Sequence, residues 1–152
     1  MDIRLLGTDP EAEMCARLMA SSEPFKTIRR GYDESLRIIK DPLREVYLAL
    51  IDGEVIGFIV VIMKGAFTGY IQSICVSPDY RGKGVGSRLM DYAETRILLE
   101  TPNVFLCVSD FNDRAMKLYL RRGYKVIGEI PDYLIEGSSE IFLRKTIGPL
   151  TK

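Results

Sequence analysis

Residues 81–87, Arg-Gly-Lys-Gly-Val-Gly-Ser, set three glycines within five positions beside two cations. Lacking a Cβ, glycine lets backbone amides turn inward and approach a ligand closely. Val85, Leu89, Ala93 and Ile97 then recur every fourth residue, one face of a helix reaching to about Leu99. Amides at a helix N-terminus sit at positive potential, so loop and helix together suit a pyrophosphate. Gly82, Lys83, Gly84, Val85, Gly86 and Ser87 would supply amides, with Arg81 and Lys83 as cations. A solvated basic turn would contain the same residues, so the loop alone fixes no ligand. Its spacing excludes two familiar phosphate loops: a Walker A loop ends in Gly-Lys-Ser/Thr, and the dinucleotide fingerprint is GxGxxG, whereas this is GxGxG.

A second group lies further along. Asn112, Ala115, Leu118, Tyr119, Gly123 and Tyr124 are spaced for a capped helix that ends at a glycine. From the residues alone, Asn112 is a helix cap or a ligand-binding amide. Tyr119 is a packed aromatic or a phenol facing a site.

The two groups in this order resemble the paired signatures of the GNAT family, the GCN5-related N-acetyltransferases, and the likeness covers residues 70–124. It implies acetyl-CoA as co-substrate and direct transfer of acetyl from the thioester sulfur to a primary amine. It also implies that strands holding Ile74, Cys75 and Val76, and Cys107 and Val108, splay apart to expose backbone groups to the pantetheine arm. An amide there, that of Val76 or a neighbour, would polarise the thioester carbonyl. By the same resemblance Asn112 reaches the pantetheine and Tyr119 faces the sulfur. A phenol near pKa 10 protonating a thiolate near 8.5 is uphill by ~1.5 units, roughly 2 kcal/mol, which favours a strengthening hydrogen bond over early proton transfer.

The general base breaks the pattern. Relatives of this fold carry a glutamate near the start of the central strand or on the fifth strand, and the corresponding residues here are Tyr70 and Cys107. Gln72 could orient a water, and Asp110, Glu23 or Glu136 could approach from loops. With no base evident, the expected acceptor is an amine that loses its proton easily, a protein or peptide α-amine, with a small-molecule amine as the alternative. A non-catalytic module that binds acetyl-CoA and regulates a partner is a further alternative.

The elements that must hold these residues follow one another along the chain. A strand at 2–6 precedes a helix capped by Thr8 or Asp9, with Pro10 at its first position. That helix runs to about residue 21 with Met14, Leu18 and Met19 inward. A second helix is expected over 24–40, interrupted by Gly31. Strands follow at 45–51 and 54–63, joined by an Asp52-Gly53 hairpin turn, and then the central strand at 69–76. After the long helix come a strand at 103–108, a helix at 112–123, and strands at 124–130 and 140–145. With the resemblance, this order implies an α/β (α+β) single-domain GNAT fold over 1–152: a mostly antiparallel mixed sheet of about seven strands and about four helices.

Composition narrows the function. The 152 residues hold 21 Lys plus Arg and 21 Asp plus Glu, so no overall basic field attracts nucleic acid or a membrane surface. Three cysteines with no CxxC spacing and no leader pattern point to a reducing, cytoplasmic setting, and no apolar run reaches the length of a membrane span. The chain has no histidine. That removes His general bases, Ser-His and Cys-His pairs and the commonest metal ligand, so no metal is expected. The sequence leaves a homodimer open.

Overall fold

A computed structural model describes residues 1–152 as β1 (Asp2–Leu5), α1 (Asp9–Ala20), α2 (Tyr32–Lys40), β2 (Arg44–Ile51), β3 (Glu54–Ile62), β4 (Tyr70–Val76), α3 (Val85–Leu98), β5 (Asn103–Ser109), α4 (Asp113–Arg121), β6 (Lys125–Pro131) and β7 (Ser139–Thr146), with one 3-10 turn at Pro78–Tyr80. The strands form one sheet in the order β1-β2-β3-β4-β5-β7-β6. Every neighbouring pair is antiparallel except β4 and β5. The expected order of elements, mixed sheet and four helices are all present.

β2 and β3 are buried on both faces, which is why they read as unbroken apolar runs. Tyr47, Ile56, Ile59 and Val61 meet Val85, Leu89, Met90, Ala93 and Ile97 of α3 on one face. Val46, Leu48, Phe58 and Val60 meet α1 and α2 on the other. Thr8 caps α1 in a full capping box: its hydroxyl accepts from the Glu11 amide while Glu11 accepts from the Thr8 amide. The Asp52-Gly53 turn places both residues at positive φ, 50° and 79°, as a type I′ hairpin requires.

Two expectations fail. α1 buries Ala12, Cys15, Ala16 and Met19, while Met14 points outward and Leu18 is half-buried. Small residues on the inner stripe let α1 lie close to both the sheet and α2. Residues 24–31 are not helical, and α2 begins only at Tyr32. The chain after α1 makes a short series of turns that closes at Arg29, in the left-handed region at φ 59°, with the Arg30 amide donating to the Phe25 carbonyl at 2.9 Å. That is the 6→1 closure of a helix-terminating motif, which stops a helix there.

Candidate functional site

β4 and β5 pair only at Tyr70–Phe105 and Ile71–Leu106 and then separate. Gly69 pins the closed end, its carbonyl accepting from the Phe105 amide at 2.9 Å. Beyond Ile71 the strands form the two walls of a cavity of about 700 Å³, reaching from the 81–87 loop to α4 and the 132–138 segment. β4 carries a bulge: Val60 pairs with Ser73 and Val61 with Ile71, leaving Gln72 without a partner.

The parity of an antiparallel ladder decides which groups face the gap. The Ser77 amide donates to the Ile56 carbonyl at 2.8 Å, so Ser77, Cys75 and Ser73 spend their backbone groups on β3. The alternate residues, Ile74 and Val76, turn theirs toward the opened side. The Val76 carbonyl accepts from Arg81 Nε at 3.0 Å, which leaves the Val76 amide and both Ile74 groups for a ligand.

At the mouth, α3 starts on Gly84 at φ 84° with no side chain capping it. None of the amides of residues 82–87 donates to another group of the chain, a row of free donors at a helix start. Gly82, Gly84, Val85, Gly86 and Ser87 line the cavity. Arg81 lines it too, but its guanidinium is held between the Val76 carbonyl and Ser22 Oγ. Lys83 does not line it; its ammonium lies 5.6 Å from the centre of the Tyr80 ring. The loop is a nest of amides more than a pair of free cations.

Asn112 lines the cavity and caps α4 through Oδ1, which accepts from the Ala115 amide at 3.3 Å. Tyr119 lies on the inner face of α4 beside the Tyr124 ring and reaches the cavity. Burial pushes its phenol up to about 12, helped by nearby Cys75. Cys75 and Cys107 also lie on the walls, and burial raises both thiols, so neither is a ready thiolate.

On the face toward α1 and α2, Tyr70, Cys107, Ser109 and Glu140 come together. Glu140 is 5% exposed and sits opposite Ser109, whose hydroxyl donates to its carboxylate at 2.6 Å. Burial raises the Glu140 carboxyl above the usual range, partly offset by Ser109. Tyr70 is pushed upward by burial and by its Cys107 and Glu140 neighbours, so it stays a neutral phenol. Glu140 was missed in the sequence because it opens a closing strand, and only its pairing across 31 residues brings it to the cavity.

The other candidate groups are occupied or remote. Asp110 accepts from Ser138 Oγ and the Ser139 amide, which lowers its carboxyl and ties down the 132–138 segment. Glu23 lines the cavity but accepts from Thr27. Glu136 is exposed and outside the lining, and the Gln72 carbonyl oxygen accepts from Arg44 Nε at 2.6 Å. No three His, Cys, Asp or Glu side chains converge as a metal site would require, and no helix is long and apolar enough to cross a membrane.

Residues 12–124 match the model of the acetyltransferase (GNAT) family. An aminoalkylphosphonate N-acetyltransferase from Salmonella typhimurium is 30% identical over 124 residues, spanning 78% of this chain and 79% of that protein. An N-alpha-acetyltransferase from Sulfurisphaera tokodaii is 30% identical over 105 residues, 60% of this chain and 62% of its own length. Among solved structures, an aminoglycoside 6′-N-acetyltransferase complexed with coenzyme A superposes over the full length of both chains, with TM-score 0.81 and 21% identity. Splayed strands, an uncapped glycine loop and a family match across both signatures agree: the chain belongs to the acetyltransferase (GNAT) family.

Proposed function

We propose that this acetyl-CoA-dependent N-acetyltransferase modifies a primary amine carried by a small molecule, with Glu140 receiving the amine proton and Tyr119 assisting the departing thiolate. Glu140 carries the reading: a buried carboxylate with one hydrogen bond, on the cavity wall, held above its ordinary pKa. A base tuned upward by burial is matched to taking a proton near neutral pH.

The remaining roles follow from the walls. The free amides of residues 82–87 take the pyrophosphate. Pantetheine lies along the opened edge of β4, exchanging hydrogen bonds with Ile74, and Asn112 meets it from α4. The amine enters from the α1/α2 face and attacks the thioester carbonyl, whose oxygen gains charge against the Val76 amide. The C–N bond forms, the C–S bond breaks, and the amine proton passes to Glu140. Tyr119, with its phenol near 12, lies about 3.5 units above a thiol at 8.5, so full transfer to the thiolate would cost about 5 kcal/mol. Its part is a hydrogen bond that strengthens as the thiolate forms.

A peptide α-amine is the acceptor to expect of a site without a base, and Glu140 lifts that constraint. One observation favours it as the second reading: Tyr133 lies at the acceptor end of the cavity, on the segment where a peptide would be covered. The test offers a panel of small primary amines and a peptide with a free N-terminus and an internal lysine. Thiol release gives kcat/KM and mass spectrometry locates the acetyl group. The best small amine is expected to exceed the peptide; a peptide N-terminus acetylated more efficiently than every small amine transfers the assignment to the second reading.

A further inference from the structure

Arg30 is a cationic side chain on the acceptor side of the cavity that no carboxylate of the chain contacts directly, although Glu34 and Glu140 lie near enough to act on its charge. It lines the cavity, makes no ion pair, and its Nε is buried without a hydrogen-bond partner. Its single side-chain hydrogen bond is a long one, 3.5 Å from Nη1 to Ser73 Oγ. Four other arginines make ion pairs, Arg4 with Glu11, Arg44 with Asp41, Arg96 with Glu45, and Arg122 with Asp91 and Glu94, whereas Arg30, though part-buried in the cavity wall, makes none. A guanidinium held part-buried with an unsatisfied N–H is costly unless an anion completes it.

The position is built, not incidental. The 6→1 closure at Arg29 fixes the Arg30 backbone, and the guanidinium stacks over Phe25, 5.5 Å from the ring centre. Its contact residue, Ser73, lies on the β4 face that α1 and α2 cover, as Tyr70 does, and Glu140 is near enough to feel its charge. The acceptor end thus presents one carboxylate and one guanidinium, a pattern complementary to a molecule with an amine and an anion. We propose that Arg30 binds an anionic group on the acceptor, so that the substrate is a primary amine carrying a carboxylate or phosphonate a few bonds from the nitrogen. The inference rests on the small-amine reading above and narrows it. A guanidinium fork suits either anion bidentately.

The test compares 3-aminopropionate and 2-aminoethylphosphonate with neutral propylamine and cationic 1,3-diaminopropane, as kcat/KM at saturating acetyl-CoA. At least one anionic amine is expected to exceed propylamine by about tenfold or more, and the order of the two names the anion. In Arg30→Gln that ratio falls to within about threefold, and Arg30→Lys restores part of it. A preference for propylamine or the diamine, or a ratio that survives in Arg30→Gln, overturns the proposal. A second measurement needs no turnover: calorimetric titration of propionate and methylphosphonate onto the CoA-loaded protein. Binding by the wild type that is at least tenfold weaker in Arg30→Gln supports the anion site, and equal or absent binding in both proteins overturns it. Anion binding without acetylation of any amine would keep the site and remove the transfer reading instead.

Discussion

Replacing Glu140 with glutamine removes the proposed base while keeping its shape and its bond from Ser109, since an amide oxygen still accepts from the hydroxyl. An alkylamine near pKa 10.4 sits some 3.4 units above pH 7, so presenting its free base without help costs about 4.6 kcal/mol. A positioned base typically recovers 10²- to 10⁴-fold of that, and a loss of about 10²-fold in kcat/KM at pH 7 is expected of Glu140→Gln. The pH profile carries the sharper test. As pH rises toward the amine pKa the acceptor deprotonates itself, about tenfold more free base per unit, so the gap between variant and wild type should narrow toward pH 10. The stability sign runs the other way. Burial raises the folded-state pKa of Glu140, so its favourable contribution is complete below the unfolded pKa and is lost as pH climbs through the folded value. At pH 7 the carboxylate is a net cost, and the glutamine variant should melt no lower than wild type. Stopped or steady-state thiol-release assays from pH 6 to 10, with a melting curve for each protein, measure both. A loss under threefold, or a gap that stays constant with pH, would refute Glu140 as the base.

Three further outcomes follow from the geometry. Tyr119→Phe should lower kcat by about 10- to 100-fold, the worth of a hydrogen bond to a charged group, with the acetyl-CoA dissociation constant within about twofold of wild type; a change under threefold would return Tyr119 to core packing. Gly86→Val pushes a branched side chain into the nest beside Val76, and calorimetry should show acetyl-CoA binding weakened at least tenfold; equal affinity would sink the loop assignment. Gly69→Ala sets a Cβ 2.6 Å from both the Asn103 carbonyl and an Ile97 methyl at φ +90°, so a loss of about 3 kcal/mol and roughly 10 °C in melting temperature is expected.

What the sequence disclosed was whatever local rules decide. The Thr8 capping box, the Asp52-Gly53 turn, the α3 stripe and the glycine C-terminus of α4 each depend on residues within a few positions of one another. Residues 24–30 misled because Phe25 and Ile28 sit at helical spacing, while the left-handed Arg29 that ends the turns has no side-chain signature. Met14 misled because a large apolar residue outranks Ala12 and Ala16 in any periodicity argument, although close helix–sheet contact prefers the small ones. Glu140 and Arg30 were invisible for a different reason. Each acquires its meaning from partners across the sheet, Ser109 and Ser73, and no local pattern encodes a pairing over 31 or 43 residues.

The bulge at Gln72 ties these features together. Side chains alternate along a strand, so an unbroken β4 would set Ile71, Ser73 and Cys75 on one face. Instead Ile71 packs with α3, whereas Cys75 packs with α1 and Phe25. One unpartnered residue switches the parity. Because of it, Tyr70 and Ser73 share the face that also carries Cys107, Ser109 and Glu140, and the strand still ends with Ile74 and Val76 aiming backbone groups into the gap. One insertion thus lets a single strand turn Tyr70 and Ser73 toward the proposed acceptor side and the Ile74 and Val76 backbone groups toward the gap. The parallel pairing with β5 stops after two residues, and the gap this opens is where the proposed reaction would bring the two substrates together.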